Sequence, residues 1–256
     1  MPTLTIDGRT VRVRDGASLL VAAQSAGIDI PTLCHHPALE PWGGCRLCLV
    51  EVTKDTWRTA PRLVASCMYP AENGLIVRSA TERVRAARRV VLDLLLARCP
   101  ETPLVQRLAR DHGIERTSYQ VSAEPTNCIL CGLCTRTCDH IGVSAIASIS
   151  RGAGREIAPP FREPPPACVG CLACAEICPT GHIRYDTNDR TRTIWGRTFD
   201  MVRCRTCGRA SITRAQAARE IERHGVPAAD VELCDACKRR QTAATFASLQ
   251  AAEGVL

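Results

Sequence analysis

Two stretches of this 256-residue chain concentrate sulfur. Cys128, Cys131, Cys134 and Cys138 lie in TNCILCGLCTRTCDH, and Cys168, Cys171, Cys174 and Cys178 lie in ACVGCLACAEICPTG. Both are spaced C-x2-C-x2-C-x3-C, an iron–sulfur ligand run in which three thiolates hold one cluster and the fourth reaches another. Exchange of the fourth ligands would place one [4Fe–4S] cluster on Cys128, Cys131, Cys134 and Cys178. The second would then rest on Cys168, Cys171, Cys174 and Cys138. Cysteines at i, i+3 and i+6 wind a tight loop around a cubane, and Gly132 and Gly170 suit that path because glycine tolerates close approach and positive φ. A disulfide or zinc framework could share the spacing, but two matched copies favour clusters.

Two further sets of four follow from the remaining cysteines. Cys34, Cys45, Cys48 and Cys67 are spaced C-x10-C-x2-C-x18-C. Cys204, Cys207, Cys234 and Cys237 form C-x2-C-x26-C-x2-C, which favours a tetrahedral zinc site, with a further iron–sulfur cluster as the alternative. Of the seventeen cysteines, Cys99 is left over. It reads as a small buried residue, with a redox-active thiol as the alternative. His35 and His36 flank Cys34, but four cysteines already fill that site, so a loop role is assigned to them. Arg46 and Arg136 lie inside the ligand runs and are expected to stabilise the reduced clusters held by those runs.

The elements needed to position these thiolates make the chain α+β. TLTIDGRTVRVRDG alternates on either side of Asp7-Gly8, a hairpin turn. A helix capped by Ser18 and stopped at Gly27 follows. This order, completed by a strand pair ending at SCMYP, opens a β-grasp domain over residues 1–80. A linker over 81–116 begins with TERVRAARRVVLDLLLARC, a helix expected to bury Val84, Ala87, Val91, Leu94 and Leu95. The two-cluster domain spans 117–190. Asp139 stands where the second run has Pro179, so the first run is expected to continue into a short helix. GVSAIASIS reads as a strand and GAGRE as a turn, since the third glycine of a dinucleotide fingerprint is missing. The four-cysteine module occupies 191–256, with RTIWGRTFD as a strand and a helix capped by Ser211 and stopped at Gly225.

The count and clustering of cysteines point to metal ligation in a reducing compartment rather than to disulfides. MPTLTIDGRT lacks an apolar h-region, and VVLDLLLA is far too short to span a bilayer. A cytoplasmic protein is expected. The formal net charge of +7 comes almost wholly from arginine. The basic residues are dispersed among acids with no interleaved aromatics, which favours protein interfaces and compensation of thiolate charge over nucleic acid.

LCHHP and GGCRLCLVEV resemble the [2Fe–2S] domain of NADH dehydrogenase large iron–sulfur subunits and of hydrogenase diaphorase subunits. The x10 loop separates this chain from plant-type ferredoxins, which use C-x4-C-x2-C. Over residues 1–185 the layout is similar to the small diaphorase subunit of NAD-linked [NiFe] hydrogenases. The resemblance implies a [2Fe–2S] cluster on Cys34, Cys45, Cys48 and Cys67, and two [4Fe–4S] clusters on the paired runs. It also implies a wire between a flavin/NAD(H)-binding subunit and a metal-dependent catalytic subunit, such as a hydrogenase or formate dehydrogenase. In that family the linker helix leads to a cluster held by one histidine and three cysteines; with Cys99 alone, that cluster is expected to be absent. No catalytic site of the chain's own is visible. A free-standing ferredoxin-like carrier and an iron–sulfur redox sensor are the alternatives.

Overall fold

A computed structural model describes the backbone of residues 1–253 and the side chains of residues 1–248. The last three residues of the expected C-terminal module, 254–256, lie outside the described residues. The chain divides into two compact units, one of Met1–Thr137 with Ile177–His182, the other of Cys138–Glu176 with the chain from Ile183 onward.

The first unit opens with β1 (Thr3–Ile6) and β2 (Arg9–Arg12), paired antiparallel through the Asp7-Gly8 turn. Both turn residues have positive φ, 47° and 82°, as a two-residue hairpin turn requires. Ser18 caps α1 (Leu19–Ser25) by accepting from the Val21 amide. β3 (Leu49–Thr53), β4 (Arg62–Ala65) and β5 (Ile76–Arg78) complete a five-stranded sheet of order β2-β1-β5-β3-β4, with only β1 and β5 parallel. The inward residues Leu4, Ile6, Val50, Val52 and Val77 join Leu19 and Leu20 of α1 in one core, which removes their apolar area from water.

Thr81 caps α2 (Glu82–Arg98), and α3 (Pro103–Asp111) follows. The buried residues of α2 are Val84, Arg88, Leu92, Leu96 and Ala97, while Leu94 is exposed. The face expected from the sequence is therefore rotated. Its true line runs at i+4 steps through an arginine, which a hydrophobic reading discards. Arg88 donates to the carbonyls of Leu47 (3.0 Å) and Leu49 (2.8 Å), so its charge is spent on orphan backbone acceptors. α3 is a second helix within the linker expected to be helical over 81–116. Its Val105 and Ala109 pack with Leu92, Leu96, Leu33, Leu47, Ile129 and Leu133 into a second apolar core that encloses cysteine loops.

One helix, α4 (Leu133–His140), carries both Cys134 and Cys138, and the boundary of the two units falls between Thr137 and Cys138. The second unit then holds the short pair β6 (Ala147–Ile149) and β7 (Glu156–Ala158), joined through a 3-10 turn at Gly152–Gly154. After α5 (Ala173–Glu176) comes a four-stranded antiparallel sheet of β8 (Tyr185–Thr187), β9 (Thr191–Ile194), β10 (Arg197–Arg203) and β11 (Ala210–Thr213), in the order β11-β10-β9-β8. RTIWGRTFD is thus a hairpin, not one strand, because Trp195-Gly196 turns with φ of 52° and 73°. α6 (Arg214–His224) ends at Gly225 in the left-handed region as expected, but its cap is Thr213, with Ser211 inside β11. α7 (Ala228–Val231) and α8 (Asp235–Glu253) close the described chain. Among the described residues no helix is long and apolar enough to cross a membrane.

Candidate metal centres

In the first unit, the loop leaving α1 and the start of β3 bring Cys34, Cys45, Cys48 and Cys67 together. The Cys45 amide donates to the Cys34 sulfur at 3.4 Å, and the Cys48 and Cys67 sulfurs lie 3.5 Å apart. The thiols work in pairs: hydrogen bonding from Cys34 pulls Cys45 down to about 6, and bonding from Cys67 pulls Cys48 down to about 6. Cys34 and Cys67, the proton-holding partners, are driven above the usual thiol range. Charge on one Cys48 neighbour, Cys45, and on Cys34 beside Cys67 ties the two pairs into one set. Gly43 has φ of +64°, a left-handed conformation in which glycine carries no side-chain strain, and a Cβ there would also require the Met68 side chain to shift. His36 receives the Ala38 amide on its Nδ1, a turn contact in keeping with a loop role.

The eight thiols of the two repeated runs are governed by burial and by one another. Burial pushes Cys131 up to about 11 and Cys134 up to about 12, and both respond further to Cys128 and Cys178. Cys138, Cys168 and Cys174 are likewise raised by burial, and the sulfurs acting on them are Cys171, Cys138 and Cys168. Cys178 thus acts on thiols of the first run, and Cys138 on thiols of the second. The division into units follows the same line, since Cys178 belongs with residues before 138 and Cys138 with those after it. Thiols raised by desolvation are poor free nucleophiles, but their thiolates are stabilised strongly by a bound cation.

Backbone amides turn toward these sulfurs. The Ala145 amide donates to Cys138 at 3.2 Å and that of Gly170 to Cys168 at 3.4 Å. Cys99 is fully buried at the end of α2, where burial pushes its thiol up to about 11. Its sulfur and the Arg98 side chain both donate to the Cys128 carbonyl, at 3.4 and 3.0 Å. The leftover cysteine thus steadies the start of the first run.

The two arginines inside the ligand runs are placed differently from each other. Arg46 is exposed with φ of +58°. Arg136 turns its guanidinium away from its own run, donating to the carbonyls of Cys34 (2.9 Å) and Glu40 and lying over the Trp42 ring. It supports the Cys34 loop instead. A reach of about a hundred residues leaves no trace in local spacing.

The C-terminal sulfurs of Cys204, Cys207, Cys234 and Cys237 all lie within 4.8 Å of one another. A thiolate tetrahedron around one zinc ion places its sulfurs about 3.8 Å apart, from Zn–S bonds of about 2.3 Å. The Cys207–Cys234 separation is 3.7 Å. Amides of Cys234 and Cys207 draw Cys204 down to about 5, and Arg240 donates to the Cys237 sulfur at 3.1 Å. The donor set fits a single thiophilic cation.

Comparison with known proteins places this geometry. Residues 1–82 match the 2Fe-2S iron-sulfur cluster binding domain family. NADP-reducing hydrogenase subunit HndD of Solidesulfovibrio fructosivorans is 34% identical over 71% of this chain and 35% of its own length. The mitochondrial NADH-ubiquinone oxidoreductase 78 kDa subunit of Candida albicans is 30% identical over 60% of this chain and 24% of its own. The chain thus spans 35% and 24% of the length of these two relatives. A chain in the crystal structure of an NAD+-reducing [NiFe]-hydrogenase in the H2-reduced state aligns at 32% identity with a TM-score of 0.55, covering 62% of this chain and 74% of that one. The protein belongs to the iron–sulfur family that NAD(P)-linked hydrogenases and NADH dehydrogenases share.

Proposed function

We propose that the chain is an electron-transfer subunit of an NAD(P)-linked oxidoreductase, relaying electrons between a flavin/NAD(H)-binding subunit and a metal-dependent catalytic subunit. The observation that supports this most directly is the set of four thiols in the first unit, where the Cys45 amide donates to the Cys34 sulfur and the Cys48 and Cys67 sulfurs lie 3.5 Å apart, within residues that match the 2Fe-2S family. Cys34, Cys45, Cys48 and Cys67, in the β-grasp domain, would hold a [2Fe–2S] cluster. Cys128, Cys131, Cys134 and Cys178 would hold one [4Fe–4S] cluster, and Cys168, Cys171, Cys174 and Cys138 the other. Bound clusters supply one-electron redox chemistry over a potential range of roughly −700 to +450 mV, set by charge, burial and hydrogen bonds to sulfur.

What the protein's own residues contribute is position and dielectric. Buried loops keep water from the sulfurs, the amides of Ala145 and Gly170 stabilise added negative charge, and the arginines fix the loops through backbone carbonyls. Cys204, Cys207, Cys234 and Cys237 would hold zinc, a reading supported by sulfur spacing that suits one ion better than a cubane, which must fit between its thiolates. Among the described residues no nucleophile–base pair marks a substrate site, so chemistry on a substrate falls to a partner.

Gentle anaerobic purification through a tag on this chain, with elemental analysis, tests the reading. Co-purification of an NAD-binding flavoprotein and a metal-dependent catalytic subunit is expected, with about ten irons and about one zinc per chain. Isolation alone with all clusters intact would replace the subunit reading with a free carrier, and about fourteen irons would replace zinc with a fourth cluster.

A further inference from the structure

The β9–β10 hairpin turns on two residues, Trp195 and Gly196, both at positive φ (52° and 73°). Turns of this kind favour Asn, Asp or Gly at the first position, because a side chain there crowds the backbone. Tryptophan is among the worst choices for such a site, and at a hairpin tip its ring would ordinarily stand in solvent. Here it turns inward. Trp195 lines the same cavity as Cys138, Cys168, Cys171 and Cys174, together with Leu172 and Ile194.

Its indole Nε1 is buried and has no hydrogen-bond partner among the described residues. A buried N–H donor without a partner is costly, so its persistence calls for an acceptor. The cavity that Trp195 lines offers it the sulfurs of Cys138, Cys168, Cys171 and Cys174. Backbone amides already serve two of them, Ala145 at Cys138 and Gly170 at Cys168. A strained turn, an orphan donor and a set of ligand sulfurs thus coincide at one cavity.

We infer that Trp195 is a positioning residue for the centre held by Cys138, Cys168, Cys171 and Cys174, its indole N–H held by the strained turn as a hydrogen-bond donor to a sulfur of that centre. The inference rests on the assignment of a [4Fe–4S] cluster to these four thiols. Donors to cluster sulfurs stabilise the more negative, reduced form and raise the potential. Trp195 therefore makes this centre easier to reduce, and its ring also closes the cavity to water.

The test is an EPR-monitored redox titration of the full chain, purified anaerobically, as wild type and as Trp195→Phe. Phenylalanine keeps an aromatic wall and removes only the donor. A shift of the second [4Fe–4S] couple to more negative potential is expected, with the other two centres unmoved as internal references. An unchanged potential at full iron content overturns the inference. Wild-type protein labelled with 15N at the indole nitrogen gives a reading that no substitution can compromise. A 15N hyperfine coupling on the second cluster's signal is expected, and its absence likewise overturns the inference. A wild type with no second [4Fe–4S] signal overturns the cluster assignment itself, and is recognised by that missing signal.

Discussion

The two cysteine runs have the same spacing, and each carries one glycine, but the glycines stand at different places. In the first run the third and fifth positions are Leu130 and Gly132, and in the second they are Gly170 and Leu172. All four residues have positive φ: 52° and 68° in the first run, 69° and 66° in the second. The backbone path is therefore shared, and each run bears one leucine in a conformation that disfavours it. What separates them is the covering side chain. A Cβ on Gly132 would meet the Trp42 ring at 3.0 Å, and one on Gly170 would meet Phe199 at 2.7 Å and Thr213 at 3.0 Å. Glycine sits where a neighbouring side chain comes too close for a Cβ. The cysteine spacing dictates the winding, whereas the surroundings dictate which left-handed position must lose its side chain.

The sharpest way to break this comparison is to add the missing Cβ. Phe199 is 5% exposed and Thr213 is fully buried, so neither can retreat from residue 170. Gly170→Ala adds left-handed strain to overpacking and should cost about 2–5 kcal/mol. Trp42 is 38% exposed and free to swing, so Gly132→Ala should carry only the strain, about 1–2 kcal/mol. Thermal midpoints and iron content of the two variants, side by side, decide it. Equal losses would mean that the covering residues play no part in the placement of glycine.

The runs also differ in how their arginines are used. Both are anchored from outside at their first carbonyl, Cys128 by Arg98 and Cys168 by Arg197, but the second is held at more points. Arg197 donates also to the carbonyls of Pro165 and Pro166, and Arg192, itself buried, to that of Gly170. The first run in addition sends Arg136 out to Cys34 and Glu40. Arg197→Met should therefore cost about 1–3 kcal/mol through carbonyls left unpaired. It should also release about four irons, those of the second [4Fe–4S] centre, ahead of the rest. Arg136→Met should leave both [4Fe–4S] centres loaded and move the [2Fe–2S] potential negative by on the order of tens of mV. Should Arg136→Met empty the first [4Fe–4S] site while leaving the [2Fe–2S] potential in place, the two arginines would be equivalent and the contrast lost.

What was legible beforehand is written in local spacing. The C-x2-C pairs whose sulfurs meet at the C-terminal site, the Asp7-Gly8 turn, the cap at Ser18 and the stop at Gly225 all show in residues a few positions apart. What escaped depends on distant partners. Arg88 reads as polar and is buried because Leu47 and Leu49 need donors. Ser211 looks like a cap, but pairing of β11 with β10 carries the strand on to Thr213, which caps instead. Trp195 breaks the turn rule, so RTIWGRTFD passed as a single strand. The linker, read as helical throughout, breaks into α2 and α3, and α3 restarts at Pro103, since proline is well suited to a first helical turn.

The smallest effect concerns the strained leucines themselves. Each pays about 1–2 kcal/mol for its left-handed φ, which glycine would relieve. Glycine also loosens the unfolded chain, costing about 0.5–1 kcal/mol, and gives up whatever apolar area the leucine buries. Leu172 is 9% exposed, so its lost burial, up to about 2 kcal/mol, should outweigh the relief and make Leu172→Gly mildly destabilising. Leu130 is only half-buried, and the opposing effects should cancel to within about 1 kcal/mol for Leu130→Gly. A loss well beyond that at residue 130 would mean that something does pack over this leucine. The first run would then be covered at both left-handed positions, and the placement of its glycine would need another cause.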